Sequence, residues 1–241
     1  QKEESYQSHY LGIAGEFGIA RYLGAFFDPI PRMEGDGHYP DIVWGETAKI
    51  AVNLIGDRLS ETFQIVGMPT SIKTKIQAEG LGIKLIEIDE AKEIDIAIDG
   101  ADEVAPDLSL IKGLGGALLR EKKVEKKAKE LIIIVDESKI VEKLGVGFLP
   151  VEVSIEDHEN TRNEIIRLGC SADLRIESNS QPFITDNNNY IYHCKFENGI
   201  EDPKTLDDNL MKIEGVVDTG LFIDMTSKVI VGTPKGTKII E

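Results

Sequence analysis

An α/β fold, built on an open and mainly parallel sheet with helices on both faces, is what this sequence predicts, and a few features carry the prediction. Strand-like and helix-like segments alternate from Phe63 to Lys139, the order that wraps helices around a parallel sheet. Leu131 to Val135 (LIIIV) is a continuous apolar run, as expected of a strand covered on both faces. Between Ile94 and Asp99, Ile94, Ile96 and Ile98 alternate with Asp95 and Ala97, and the run stops at Asp99-Gly100. That reads as a strand ending in a turn, and ligands gather at the carboxyl ends of such strands.

Taken in order, residues 1–43 offer little. Glu16 to Phe27 carries apolar residues at helical intervals before Pro29 and Pro31, and Arg32 to Asp41 reads as loop. Ala48 to Leu59 reads as a helix, and Phe63 to Ser71 as a strand and turn with Thr70 and Ser71 at its carboxyl end. Lys73 to Gly82 fits a helix stopped by glycine, and Ile83 to Asp89 the next strand. Ala117 to Glu130 (ALLREKKVEKKAKE) is helix-like, and the apolar strand that follows ends near Asp136 and Lys139.

Near Pro150 the pattern shifts. Val151 to Gly169, Cys170 to Ile176, Pro182 to Phe196 and Glu201 to Ile213 read as strand, helix, strand, strand, helix. With a closing strand this is the split order of a small ferredoxin-like α+β domain, and Asn187-Asn188-Asn189 reads as a hairpin turn. Gly220 to Gly236 gives short strands expected to rejoin the first sheet, which would be Rossmann-like. The predicted division is a discontinuous α/β domain, 1–147 with 214–241, and a small α+β domain, 148–213.

The chain has 241 residues, 41% of them hydrophobic and 29% charged, the profile of an ordinary globular protein large enough for a full core. A net charge of −16 and a pI near 4.7 argue against nucleic acid or an anionic membrane as partner. An anionic ligand would need a local basic pocket, for which Lys112 and Lys139 are candidates. Cys170 and Cys194 have no framework spacing, so reduced thiols are expected rather than a bridge. His9, His38, His158 and His193 are scattered, and no metal site is expected. The chain opens without a charged-then-apolar leader, and its longest aliphatic run is too short for a bilayer, so a cytoplasmic protein is expected.

The chemistry concentrates between Asp99 and Glu121. Asp99 and Asp102 follow the strand; Lys112 precedes Gly113, Leu114, Gly115 and Gly116; Glu121 falls in the first turns of the next helix. A glycine loop opening into a helix offers N–H groups to an oxyanion. Each part has a plainer reading. Asp99-Gly100 is ordinary turn chemistry, the glycines ease helix packing, and Glu121 is one charge on a solvated face with Lys122, Glu125 and Lys129. Their joint spacing favours a site for proton transfer next to a carbonyl.

DGADE (Asp99 to Glu103), IKGLGGALLREK (Ile111 to Lys122), IIIVDESKIVEKLG (Ile132 to Gly145) and LPVEV (Leu149 to Val153) closely resemble ribose-5-phosphate isomerase, type A. TDNNNYI, IEDP, GVVDTGLF and VIVGTPKG extend the resemblance, which runs from about Ile65 to Glu241. It implies interconversion of D-ribose 5-phosphate and D-ribulose 5-phosphate through an enediolate, in the non-oxidative pentose phosphate pathway. It also implies no metal or organic cofactor, a sugar phosphate as the small-molecule partner, and a homodimer or higher homo-oligomer. Glu121 matches the base, Lys112 and the Gly113 to Gly115 N–H groups the stabilisers of the enediolate, and Asp99 and Asp102 the groups that move hydroxyl protons and help open the sugar ring. Thr47, Gly100, Ala101, Gly113, Leu114, Gly115 and Lys139 match positions lining the substrate. Leu114 stands where many members have glycine.

The family's GxGTGST phosphate loop is missing. Trp44-Gly45-Glu46-Thr47 aligns with its end, Gly45 and Thr47 matching while Trp44 and Glu46 do not. A carboxylate at Glu46 would repel phosphate in the same N–H nest, so a displaced loop and weakened phosphate affinity are expected. A non-catalytic sugar-phosphate-binding relative, or another sugar-phosphate enzyme such as an amino-sugar deaminase, remains open on the sequence.

Overall fold

A computed structural model describes residues 9–13, 53, 56–57, 59, 65–70, 72–233 and 236–241. The expectations for Glu16 to Phe27 and for Trp44-Gly45-Glu46-Thr47, with most of Ala48 to Leu59, lie outside the described residues. The elements begin with β1 (His9–Ile13), β2 (Ile65–Pro69), α1 (Ile72–Gly80), β3 (Lys84–Leu85) and β4 (Ile94–Asp99). Next come β5 (Glu103–Val104), β6 (Leu110–Ile111), α2 (Leu118–Glu125), β7 (Ala128–Asp136), β8 (Leu149–Ser154) and α3 (His158–Ile166). The chain closes with β9 (Ser171–Leu174), β10 (Asn189–Lys195), α4 (Pro203–Leu210), β11 (Val216–Thr219), β12 (Leu221–Phe222), β13 (Lys228–Thr233) and β14 (Gly236–Ile240). They pack as two compact units.

The first unit comprises Gln1–Gly100, Val124–Glu137 and Ser227–Glu241. Its seven-stranded sheet has the order β14-β13-β7-β4-β1-β2-β3, parallel at every neighbouring pair except β13 with β14. The chain is therefore of the α/β class. Leu131 to Val135 are all buried, which is why that strand reads as an unbroken apolar run. α1 stops where Gly82 takes φ +74° and the Ile83 N–H closes on Ala78 O at 3.0 Å. Two readings change. β1 occupies the place between β4 and β2, in a stretch whose periodicity gives no strand: its apolar residues do not alternate cleanly and Gly12 is a poor strand former. The helix-like run Ala117 to Glu130 ends at Glu125, because Ala128 and Glu130 pair with Ile94 and Ile96 in the sheet. Lys127 Nζ fastens the joint by donating to Ile88 O (2.7 Å) and Ala91 O (3.1 Å).

The second unit comprises Ala101–Lys123 and Ser138–Thr226. Its antiparallel four-stranded sheet has the order β11-β8-β10-β9, with Leu149, Val151, Val153, Ile165, Tyr192 and Leu210 in the core. α4 starts on Asp202, whose carboxylate accepts the Thr205 N–H at 3.0 Å, with Pro203 in the first turn. Pro182 to Thr185 does not form a strand: the segment keeps an Ile176–Pro182 bridge and a Phe183 N–H to Arg175 O bond at 2.9 Å. The turn after it is real, with Thr185 N–H on Asn189 O (2.9 Å) and Asn188 at φ +60°. Glu152 anchors it from the fully buried face of β8, accepting from Thr185 Oγ1 (2.9 Å) and Asn189 Nδ2 (2.9 Å). Of the closing segment, β13 and β14 join the first sheet, whereas β12 pairs with β6 in a three-stranded sheet, β12-β6-β5.

Glu103 in β5 is buried and accepts the N–H groups of Gly145 (2.6 Å), Val146 (3.3 Å) and Gly147. A carboxylate is acceptor-only, which suits a loop that presents nothing but donors. Glu103→Ala, leaving those donors unmet, is expected to destabilise the protein by roughly 2–4 kcal/mol. Urea unfolding checks this: an unchanged midpoint would mean that the loop re-satisfies itself with water.

Candidate active site

The three-stranded sheet sets the site. The Asp102 N–H donates to Ile111 O (2.8 Å) and the Lys112 N–H to Gly220 O (2.9 Å), so the backbones of both residues are fixed by neighbouring strands. Lys112 is only 2% exposed; its Nζ lies 3.6 Å from Glu121 Oε2 and 5.3 Å from the centre of the buried Phe222 ring. At 3.6 Å the contact is an ion pair rather than a good hydrogen bond.

Between Lys112 and α2 the chain turns back on itself. Gly113 takes φ +99°, and a Cβ there would fall 2.5 Å from Leu118 Cβ, so only glycine fits. The turn closes with Gly116 N–H on Gly113 O (2.9 Å) and aims the Leu114 N–H at Asp102 Oδ2 (3.0 Å). Because Leu114 is used through its backbone, a leucine serves there as well as a glycine. α2 then brings Glu121, in its first turn, to Lys112.

Asp102 is buried, and its Oδ1 has no hydrogen-bond partner among the described residues. Burial pushes its carboxyl up to about 6, and the Glu121 carboxylate adds to the rise; the Leu114 N–H, Lys112 and Lys139 pull it back. Lys139, half-buried at the end of the 3₁₀ turn Glu137–Lys139, is thereby close enough to act on Asp102. Asp102, Lys112, Leu114, Glu121 and Lys139 thus converge in the second unit, with Ala101 buried beside Asp102 in sequence. Asp99 and Gly100 belong to the first unit, where buried Asp99 closes β4 and accepts the Gly100 N–H at 2.6 Å. Thr47 lies outside the described residues.

Two site features differ from the sequence reading. The Leu114 N–H, expected to face an oxyanion, is held by Asp102, while those of Gly113 and Gly115 have no acceptor among the described residues. Lys122 and Glu125, expected on a solvated face, are both buried; only Lys129 is exposed. Lys122 Nζ donates to Asp218 Oδ1 and Thr219 O, each at 2.7 Å, and lies 4.8 Å from the Phe222 ring centre. This buried pair fixes the rotation of α2 next to Glu121. Asp218 sits in GVVDTGLF, and that motif was its only signal in the sequence. Among the described residues no group of His, Cys, Asp and Glu could hold a metal ion, and no helix is long and apolar enough to cross a membrane.

Residues 66–236 match the family described as Ribose 5-phosphate isomerase A (phosphoriboisomerase A). Ribose-5-phosphate isomerase A of Bacillus mycoides (strain KBAB4) is 47% identical over 203 residues, spanning 84% of this chain and 91% of its own. Ribose 5-phosphate isomerase from Plasmodium falciparum superposes with a TM-score of 0.81 at 31% identity, over 100% of this chain and 94% of that one. A D-ribose-5-phosphate isomerase solved in complex with phospho-erythronic acid gives 0.80 at 33%, over 97% and 90%. With the family pattern matched across most of its length and close to half of its residues shared with a member, the chain belongs to the ribose 5-phosphate isomerase A family.

Proposed function

We propose that this chain interconverts D-ribose 5-phosphate and D-ribulose 5-phosphate, with Glu121 as the base. The observation that carries this reading is a buried Lys112 ammonium flanked by Glu121, with a second carboxylate, Asp102, poised to titrate near neutral pH. Glu121 takes the proton from C2 of the open-chain aldose and returns it to C1, and the electron pair passes through an enediolate. As negative charge grows on the enediolate oxygens, Lys112 and the N–H groups of Gly113 and Gly115 stabilise it. Asp102, whose pKa near 6 suits both taking and giving a proton, moves the hydroxyl proton from O2 to O1. Asp99, at the end of β4, assists ring opening. Lys139 and Thr47 hold the phosphate, with Gly100, Ala101 and Leu114 lining the sugar, so that remote binding energy positions the reacting end. A similar isomerase was solved with phospho-erythronic acid, a phosphorylated acid, which supports a phosphorylated sugar as substrate. No metal or organic cofactor enters this chemistry.

The finer architecture belongs to the same proposal. The parallel run β13-β7-β4-β1-β2-β3 supports a Rossmann-like sheet, and the order β8-α3-β9-β10-α4-β11 around one antiparallel sheet supports a ferredoxin-like domain. The division into 1–147 with 214–241 and 148–213, a homo-oligomeric state and a cytoplasmic location are proposed alongside.

An isomerase assay on ribose 5-phosphate, with and without a chelator, tests the reading; equal turnover in both arms is expected, and none in either would overturn it. Lys112→Ala refines the test. Loss of a preorganised donor to the developing charge is expected to lower kcat by roughly 10²- to 10³-fold, with a smaller rise in KM. A change confined to KM would move Lys112 to a binding role.

A further inference from the structure

Leu114 is gripped from two sides. Its N–H goes to Asp102 Oδ2 (3.0 Å), and its carbonyl accepts from Arg175 Nη1 (2.8 Å). Arg175 follows β9 and is itself held by the sheet: its N–H donates to Ile191 O (2.9 Å), and its carbonyl accepts from Phe183 N–H (2.9 Å). The half-buried guanidinium lies 3.8 Å from the centre of the Phe183 ring. Gly116 leaves room for that stack, since a Cβ there would come within 2.5 Å of Phe183 Cζ and 3.1 Å of Arg175 Nη1. No carboxylate among the described residues lies within ion-pair distance of Arg175. Its charge is therefore committed to a ring face and a backbone carbonyl, the geometry for which a planar guanidinium is suited and an ammonium is not.

We propose that Arg175, braced by Phe183, is a positioning residue for the isomerisation: by holding the Leu114 carbonyl it sets the Gly113 to Gly116 loop so that the Leu114 N–H reaches Asp102. This rests on the reading of Asp102 as the group that moves hydroxyl protons. The same loop carries the Gly113 and Gly115 N–H groups and leads into the first turn of α2, so its placement bears on the charge-stabilising donors as well as on Asp102. A misplacement of about 1 Å at such a site is enough to cost on the order of a hundredfold in rate.

The consequence for Asp102 has a definite sign. The Leu114 N–H favours the ionised carboxylate, so releasing the loop raises the pH at which Asp102 titrates. The largest charge effects on Asp102 come from Lys112 after β6, Glu121 on α2 and Lys139 in the 3₁₀ turn. The titratable neighbours of Arg175 are Glu177 and, on the paired strand β10, His193, whose imidazole is held towards the neutral form by burial and by Arg175. Phe183→Leu changes no charge, so an upward shift of Asp102 in that variant travels through the loop rather than through direct charge.

The test measures kcat and KM for ribose 5-phosphate across pH in Arg175→Gln, Arg175→Lys and Phe183→Leu. It adds the Asp102 carboxyl titration by carbon NMR, assigned against Asp102→Asn and read without substrate. Arg175→Gln is expected to lose roughly ten- to a hundredfold in kcat with a smaller change in KM, and to move the acid limb and the Asp102 titration upward. Arg175→Lys regains part of the rate, because an ammonium still donates to the carbonyl, and Phe183→Leu falls in the same direction as Arg175→Gln. A folded Arg175→Gln with wild-type kcat and an unmoved Asp102 titration overturns the proposal. Should that variant fail to fold, wild-type behaviour in both of the others overturns it equally. An inactive wild type would defeat the isomerase reading, while the substrate-free titration still decides whether Arg175 governs the loop.

Discussion

Glu121→Gln is expected to bind ribose 5-phosphate nearly as well as the parent protein while losing about 10²- to 10⁴-fold in kcat. The amide matches the carboxylate in shape but cannot accept the C2 proton, so the loss falls on the chemical step. The fold should tolerate the change, because α2 is fixed beside this position by the Lys122–Asp218 pair at 2.7 Å rather than by Glu121. The Lys112 ammonium does lose its 3.6 Å counter-charge, and Asp102 remains to face it. Two measurements separate base from bystander. Calorimetric titration with ribose 5-phosphate should give a dissociation constant within a few-fold of the parent's, and exchange of the substrate C2 proton with deuterated solvent should vanish together with turnover. Near-normal kcat, or persistent exchange without turnover, would remove Glu121 from the role of base.

What could be read from the sequence, and what could not, divides along the range of the interactions. β4 and the buried core of β7 were legible as strands through alternation and an unbroken apolar run, although β4 buries Ala97 and Asp99 as well as Ile94 and Ile98 and so is covered on both faces. Asp102, Lys112 and Glu121 were legible through their joint spacing and the family pattern, and they do converge. Lys122 was misread because a lysine amid alternating charges ordinarily lies on a solvated face. Its burial is decided by Asp218, 96 residues away, which no local pattern reveals. Glu103 depends in the same way on the N–H groups of Gly145 to Gly147, and Arg175 on the carbonyl of Leu114, 61 residues away. At the end of α2 the conflict was between levels: Lys126 to Glu130 is rich in helix formers, but pairing of Ala128 and Glu130 with β4 prevails. β1 failed for a different reason: in HYLGI the apolar Tyr10, Leu11 and Ile13 fall at both parities, and Gly12 is a poor strand former.

Asp102→Asn is expected to make the protein more stable at neutral pH and far less active, and the pH at which the stability gain appears follows from the direction of the shift. Burial holds the Asp102 carboxyl at about 6 in the folded protein against an ordinary 3.8. Between those values the folded state binds more protons than the unfolded state, so stability falls as pH rises through the interval and stays low above it. Ionising Asp102 at neutral pH then costs the fold about 2–3 kcal/mol, at 1.36 kcal/mol for each pH unit separating the two states. Asparagine removes that cost yet keeps a carbonyl oxygen to accept the Leu114 N–H, so the loop is not released. The stability difference between variant and parent should be near zero at about pH 4 and should grow to its full size by about pH 7. Urea unfolding of both proteins across that range measures it, and a gap that does not widen with pH would show that Asp102 is not ionised at a cost. The activity moves oppositely: the parent's kcat/KM should fall below about pH 6 as Asp102 becomes protonated. The variant should lack that limb and run about a hundredfold slower or worse, having no group to carry the hydroxyl proton. A stabilised but inactive Asp102→Asn would mean that the protein tolerates a buried, costly carboxylate because the proton transfer needs it there.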